Sequence, residues 1–176
     1  MDAEEIETWS DRYDEQYPSE LQRIEEALHE VLNQEGRLTQ DQFADVIRWK
    51  LNGQPGRRDR YIESMNTVPD EFVRLTTEAA LLPDDPTVQL QTLSSIPGVG
   101  SATATVMLMF YDPTEYAVGD RYIMDTLFGE DRGMRANDYP DILNELHDRN
   151  PGGFDLRTVE KAYYQKYRVE NGIGNW

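Results

Sequence analysis

The chain has 176 residues, 34 of them Asp or Glu and 17 Lys or Arg, for a formal net charge of −17. That length suits one domain, or two small lobes sharing a core, and needs no covalent staples to bury it. Cysteine is absent, which excludes disulfides, thiolate zinc sites, iron–sulfur clusters and cysteine nucleophiles, and His29 and His147 are too few for a multi-histidine metal site.

Helical patterning runs through nearly the whole chain, and nothing alternates convincingly as a strand. The acidic start, MDAEEIETW, lacks the basic-then-apolar order of an export signal. Ser19 with Gln22 reads as a capping box before 21–32, where Leu21, Ile24, Leu28, Val31 and Leu32 recur at helical spacing. Thr39 with Gln42 does the same before 43–51, where Phe43, Val46, Ile47 and Leu51 share a face. Gly and Pro mark 52–60 as a loop, and it carries most of a basic cluster: Lys50, Arg57, Arg58 and Arg60, with Arg48 just before. Further helices are predicted at about 59–66, 70–82 and 86–95, then at 101–111 after the turn 96-IPGVG-100. Asp112-Pro113 breaks that helix. Another runs from Arg121 to Phe128, 129–137 is a loop, and two more fit 139–149 and 155–170. The tail 171-NGIGNW-176 is a stop signal ending in Trp176. The expected class is all-α.

No apolar run approaches the roughly 20 residues a membrane span needs, so the chain reads as a soluble, cytoplasmic protein. An acid excess with only three lysines, Lys50, Lys161 and Lys166, looks like halophilic adaptation to molar salt. The alternative is an ordinary acidic protein or a nucleic-acid mimic. The charge would normally argue against a nucleic-acid partner. At 1 M salt, however, the Debye length is about 3 Å, and long-range repulsion nearly vanishes. Attraction of Lys and Arg to phosphate weakens too, which shifts weight to short-range contacts such as backbone amides.

The turn 96-IPGVG-100 suits such contacts. Gly98 and Gly100 permit positive φ and close backbone approach, Pro97 stiffens the turn, and Val99 is an apolar peg toward the core. The helix opening at Ser101 presents free N–H groups carrying partial positive charge. Pro97 to Thr103 therefore form a candidate cradle for one backbone phosphate, which would position a duplex without reading its sequence. A tight helix–helix turn with no ligand accounts for the same glycines.

The segment 93-LSSIPGVGSATATVML-108 followed by 117-AVGD-120 resembles the helix-hairpin-helix DNA glycosylases of the endonuclease III superfamily. Leu93, Ile96, Pro97, Gly98, Val99, Gly100, Thr103 and Ala104 match the hairpin, Pro113 matches the loop, and Asp120 falls at the spacing of the family's catalytic aspartate. The likeness covers about residues 90–129. A weaker likeness of 43-FADVIRWK-50 and the loop after it is to a small cysteine-free group of such hairpin proteins. The resemblance implies a glycosylase-like helical domain, double-stranded DNA as partner, and a monovalent cation, K⁺ or Na⁺, at the 96–100 carbonyls as the only metal. It also implies that Asp120 stabilises an oxocarbenium-like state as a flipped base leaves.

The departures set limits. The lysine that bifunctional members carry two residues after the last hairpin glycine is here Ala102, so no Schiff base forms there, and the resemblance implies a monofunctional enzyme without lyase activity. Without cysteine there is no iron–sulfur cluster, and no other cofactor is expected. The short chain implies a reduced second lobe. Tyr122 stands where a histidine often stands in the family.

The expected organisation has the N-terminal helices 1–66 and the C-terminal stretch 139–176 forming a terminal lobe. The central region 67–138 then holds the helix-hairpin-helix at 86–111 and the Asp120 loop. Asp120 equally reads as a plain helix N-cap, worth about 1 kcal/mol. Lys50, Arg57, Arg58, Arg60 and Arg121 are candidate DNA contacts, and each also reads as a solvated cation paired with nearby acids. Most of the aromatic residues are expected in the core, with Tyr61 and Tyr122 as exposed candidates for base stacking. The competing function is a non-catalytic helix-hairpin-helix module that grips DNA or protein. A structural protein whose hairpin binds nothing is the third.

Overall fold

The computed structural model describes residues 1–174; Trp176 lies outside them. Among the described residues there are ten α-helices, one 3-10 turn and no strand, so the all-α expectation holds. The helices are α1 (Ala3–Gln16), α2 (Ser19–Glu35), α3 (Gln40–Lys50), α4 (Pro55–Met65) and α5 (Asp70–Ala80). They continue as α6 (Pro86–Leu93), α7 (Ser101–Tyr111), α8 (Arg121–Phe128), α9 (Tyr139–Asp148) and α10 (Leu156–Glu170). The 3-10 turn, Ala136–Asp138, leads directly into α9.

Local chemistry sets most of the boundaries. The Thr39 capping box forms as expected: the Gln42 amide donates to Thr39 Oγ1 at 3.2 Å, and the Thr39 amide donates to Gln42 Oε1 at 2.8 Å. The Ser19 box does not form. Pro18 occupies the N-cap with its φ of −61° and extended ψ, Ser19 becomes the first helical residue, and Gln22 donates instead to Glu26 at 2.9 Å. A box that the Asp-x-x-Glu pattern signals, Asp2 with Glu5, opens α1. The expected loop 52–60 is shorter than its composition suggests. Pro55 takes the first helical position, where its missing N–H costs nothing, so Arg57, Arg58 and Arg60 are helical.

Helix α7 is the central element. Every residue from Thr103 to Phe110 is buried, as a helix apolar on all sides must be, and α2, α3 and α6 pack around it. Helix α1 lies along α10, which also contacts α8 and α9. Thus of the N-terminal stretch 1–66 only α1 sides with the C-terminal helices, while α2 and α3 pack on α7 from the central stretch. The buried stripe of α1, Ile6, Ser10 and Tyr13, gives the reason: it needs a partner face, and α10 supplies one. Two helical groups result, α2–α7 and α1 with α8–α10. One apolar core runs through both, and α6 joins them by packing on α9 and the 3-10 turn.

Candidate nucleic-acid interface and the Asp120 site

Asp120 is positioned by the first half of α7. Thr105 Oγ1 accepts the Gly119 amide at 3.0 Å and donates to the Ala102 carbonyl at 2.9 Å. The segment at Gly119 is packed so closely that an added Cβ would lie 2.3 Å from Met134 Sδ and 3.4 Å from Thr105 and Ile142. The residue leaving this clamp is Asp120, the N-cap of α8. Its Oδ1 accepts the amides of Tyr122 at 2.9 Å and Ile123 at 3.1 Å. Its Oδ2 accepts from Lys50 Nζ at 2.9 Å, the two side chains being 15% and 14% exposed. Lys50 is the last residue of α3, so this contact crosses from one helical group to the other. The sequence marks Lys50 as a cation for DNA; the fold turns it onto the acid.

Behind this pair the seam between the groups is polar and aromatic. Trp49 Nε1 donates to the Tyr17 hydroxyl, which donates to Glu25 Oε2 at 2.6 Å. Arg157, buried on α10, stacks over Trp49 at 5.3 Å and Tyr13 at 5.2 Å, and donates to Tyr13 Oη at 3.0 Å. Its guanidinium pairs with the equally buried Glu160 and lies 3.5 Å from Glu25. Burial pushes the Glu160 carboxyl upward and the Arg157 charge only partly offsets it, while Asp120 raises it further. Glu25 ends below the usual range because the Arg157 charge and the Tyr17 hydroxyl outweigh its burial. Tyr164 is raised by burial and then by the Asp120 charge. Its ring meets Tyr122 at 6.0 Å, and Tyr122 meets Tyr167 at 5.8 Å. The stripe Arg157, Glu160, Tyr164 is therefore part of the site. Its spacing of three and four along α10 was visible in sequence, but a polar stripe ordinarily means a solvated face.

The hairpin turn has the expected form with one difference in cause. Gly98 has φ +84°, but the backbone it approaches is the protein's own: a Cβ there would sit 2.4 Å from the Tyr61 carbonyl oxygen of α4. Val99 is buried as the peg, and Thr103 is buried too. Gly100 is exposed, has nothing within 4 Å of an added Cβ, and serves as the N-cap of α7, where no side chain caps the helix. The outward face of the turn is thus Pro97, Gly100, Ser101 and Ala102.

Gly98 seats on α4 at Tyr61 and Ser64, and α4 is the helix that carries Arg57, Arg58 and Arg60. Arg57 and Arg60 lie over the Tyr61 ring at 5.3 and 5.5 Å, and Arg57 Nε donates to Tyr61 Oη at 3.1 Å. That hydrogen bond lowers the Tyr61 hydroxyl from its ordinary value. Among the described residues Arg57 and Arg60 pair with no carboxylate. The other candidates do: Arg58 with Asp59 at 2.8 Å and Arg121 with Asp131 at 2.5 Å. Arg48, the cation just before this cluster, pairs with Asp45 at 2.6 Å.

Two concavities lie elsewhere. One of about 150 Å³ is lined by Glu25, His29, Phe110 and Pro113; the other, about 520 Å³, lies between α2 and the ends of α3 and α4. Neither includes Asp120. His29 has a structural role, its Nδ1 being 2.8 Å from the Phe110 carbonyl. Among the described residues no group of three or more His, Asp or Glu is arranged to hold a metal ion. At the hairpin, the Ile96 carbonyl already accepts the Val99 amide at 3.0 Å, and Gly100 accepts the Thr103 and Ala104 amides at 3.0 and 2.9 Å. A monovalent ion would find two of the five carbonyls engaged. Among the described residues no helix is long and apolar enough to cross a membrane.

No family model, curated protein or solved structure matches the chain.

Proposed function

We propose that this chain binds double-stranded DNA through its hairpin and acts on it as a helix-hairpin-helix glycosylase, with Asp120 as the catalytic carboxylate. One observation carries the reading. Asp120 stands on the seam between two helical groups, tied through Gly119 and Thr105 to α7, the second helix of the hairpin. A duplex held at Pro97–Ala102 would present a base to that seam rather than to a remote face. Arg57 and Arg60, over the ring of the Tyr61 on which the turn is seated, would hold a second stretch of backbone. A base flipped toward Asp120 would meet Tyr122 and Tyr164. Breaking the sugar–base bond builds positive charge on the sugar, and a carboxylate there lowers that barrier. With Ala102 after the hairpin, water attacks and an abasic site is the product.

A second reading, a binding module without chemistry, is favoured by the crowding at Asp120: both oxygens have partners, and neither concavity reaches it. The test is base release from a panel of damaged duplexes in molar KCl, comparing wild type with Asp120→Asn. Release by wild type alone establishes the glycosylase and names its base. Binding by both proteins with no release from any duplex establishes the module.

A further inference from the structure

We infer that the groove of about 520 Å³ between α2 and the ends of α3 and α4 binds a phosphate monoester carried on an apolar body, the chemistry of a mononucleotide. The inference is independent of the glycosylase reading, since neither Asp120 nor the hairpin turn lines the groove. Its volume falls within the roughly 300–1,000 Å³ of small-molecule sites.

Charge is the first observation. The chain has 34 acids and 17 bases, yet residues 48–60 hold five cations, Arg48, Lys50, Arg57, Arg58 and Arg60, and one acid, Asp59. The fold divides those cations. Lys50 turns to Asp120, and Arg57 and Arg60 lie over the Tyr61 ring. Arg48 and Arg58 line the groove instead, where Arg23 of α2 joins them. Three arginines from three helices thus border one concavity.

Their donors are largely unspent. Arg23 Nε donates to the Ser19 carbonyl at 3.2 Å, Arg48 Nη1 to Asp45 at 2.6 Å and Arg58 Nε to Asp59 at 2.8 Å. Among the described residues the other six of their nine guanidinium nitrogens have no partner. A phosphate monoester suits this supply better than a carboxylate does. It offers three terminal oxygens rather than two, and nearly two negative charges at neutral pH.

The floor of the groove is apolar, which is the second observation. Leu21 and Leu28 are its buried part, while Ile24 is half-buried and Ala27 exposed. Solvated arginines need no such floor. A ligand with an apolar ring would cover it, adding burial to the charge contacts. The side chains of Asn52, Glu20 and Asp45 complete the lining and can meet the hydroxyl and amino groups of a nucleoside. The same chemistry has two sources, a free mononucleotide and the phosphorylated end of a DNA strand.

The test is isothermal titration of the full chain, at the lowest KCl concentration at which circular dichroism shows it folded. Deoxyadenosine 5′-monophosphate is compared with deoxyadenosine and with inorganic phosphate, and should bind at least about tenfold more tightly than either. Arg58→Gln should weaken the monophosphate by about tenfold, the size of one lost charge-assisted hydrogen bond. Ala27→Glu keeps a good helix former at an exposed position but sets a carboxylate on the floor, and should abolish binding. Arg12→Gln removes the same charge from α1, away from the groove, and should leave binding unchanged. A short single strand with and without a 5′-phosphate assigns the source. Tighter binding of the phosphorylated strand than of the monophosphate makes a strand end the occupant, and the reverse makes it the free nucleotide; either supports the site. No binding of the monophosphate up to about 10 mM overturns the inference. So does equal binding of deoxyadenosine or of inorganic phosphate, full binding by Ala27→Glu, or equal weakening by Arg58→Gln and Arg12→Gln.

Discussion

Lys50 and Asp120, 70 residues apart, meet at 2.9 Å where the end of α3 faces the start of α8, and their contact bridges the two helical groups. The pair is largely shielded from solvent, where Coulomb attraction is stronger than at a surface. Asp120→Asn retains an oxygen for the α8 amides, because Asn caps about as well as Asp. A double-mutant cycle of Asp120→Asn with Lys50→Met should therefore isolate the ion pair, at about 1–3 kcal/mol of coupling read from urea midpoints. A coupling near zero would place the contact with exposed pairs that contribute little.

The two hairpin glycines should separate fold from binding. At Gly98, φ is +84° and an added Cβ meets the Tyr61 carbonyl, backbone that cannot swing away. Gly98→Ala is expected to lose at least about 2 kcal/mol in thermal unfolding. At Gly100, φ is −95° and nothing stands in the way, so Gly100→Ala should cost only about 0.5–1 kcal/mol for the poorer cap. If the exposed amides of this turn hold a phosphate, Gly100→Ala weakens DNA binding well beyond its effect on stability.

Arg57 and Arg60 pair with no carboxylate among the described residues and lie over the ring of Tyr61, the residue whose backbone meets Gly98. Each changed to Gln should lower the slope of log affinity against log salt by about 1. Arg58→Gln and Arg121→Gln should change it less, since Asp59 and Asp131 already neutralise those cations. Fluorescence anisotropy over a salt series checks this, and four equal slopes would show that α4 is not the DNA-facing element.

The Arg157–Glu160 pair has side chains only 4% and 3% exposed. Arg157→Met strands a carboxylate with almost no water around it, at an expected cost of about 3–5 kcal/mol. Arg157→Met combined with Glu160→Leu should recover part of that loss, because the fully buried pair is then gone and only Glu25, which keeps its Tyr17 hydrogen bond, has lost its cation. Equal losses in the single and double variants would mean that the stacking of Arg157 on Trp49 and Tyr13 matters more than charge compensation.

Acid should loosen the loop after α8. Asp138 is held below the usual carboxyl range first by hydrogen bonds from Arg132, at 2.7 and 2.9 Å, with the Arg135 amide adding a further one at 2.7 Å. A carboxyl lowered in the native state contributes stability that is complete above its unfolded pKa of about 4 and is lost as pH falls through the native value. The difference in urea midpoint between wild type and Asp138→Asn should accordingly be constant above pH 5 and shrink below about pH 4.

Much of the fold was legible because helix boundaries are local. Thr39 and Gln42 set the start of α3, Asp120 and Gly129 bracket α8, and Asp112-Pro113 ends α7, each through contacts within about four residues. Where local reading slipped, a proline at a helix start was the reason: Pro18 displaced Ser19 as cap, and Pro55, one of the residues that made 52–60 read as loop, instead took the first position of a helix.

The sequence by itself determined the all-α class, the hairpin turn with its buried Val99 peg, and Asp120 as the residue opening α8. Only the tertiary structure decided what these residues face. Gly98 is seated on Tyr61 of α4, Asp120 meets Lys50, and the polar stripe of α10 turns inward around Arg157. Such pairings join residues 37 to 144 positions apart, as Gly98 with Tyr61 and Tyr13 with Arg157 do. Spacing along one helix fixes which side chains share a face, but burial of the whole core selects the helix that covers it.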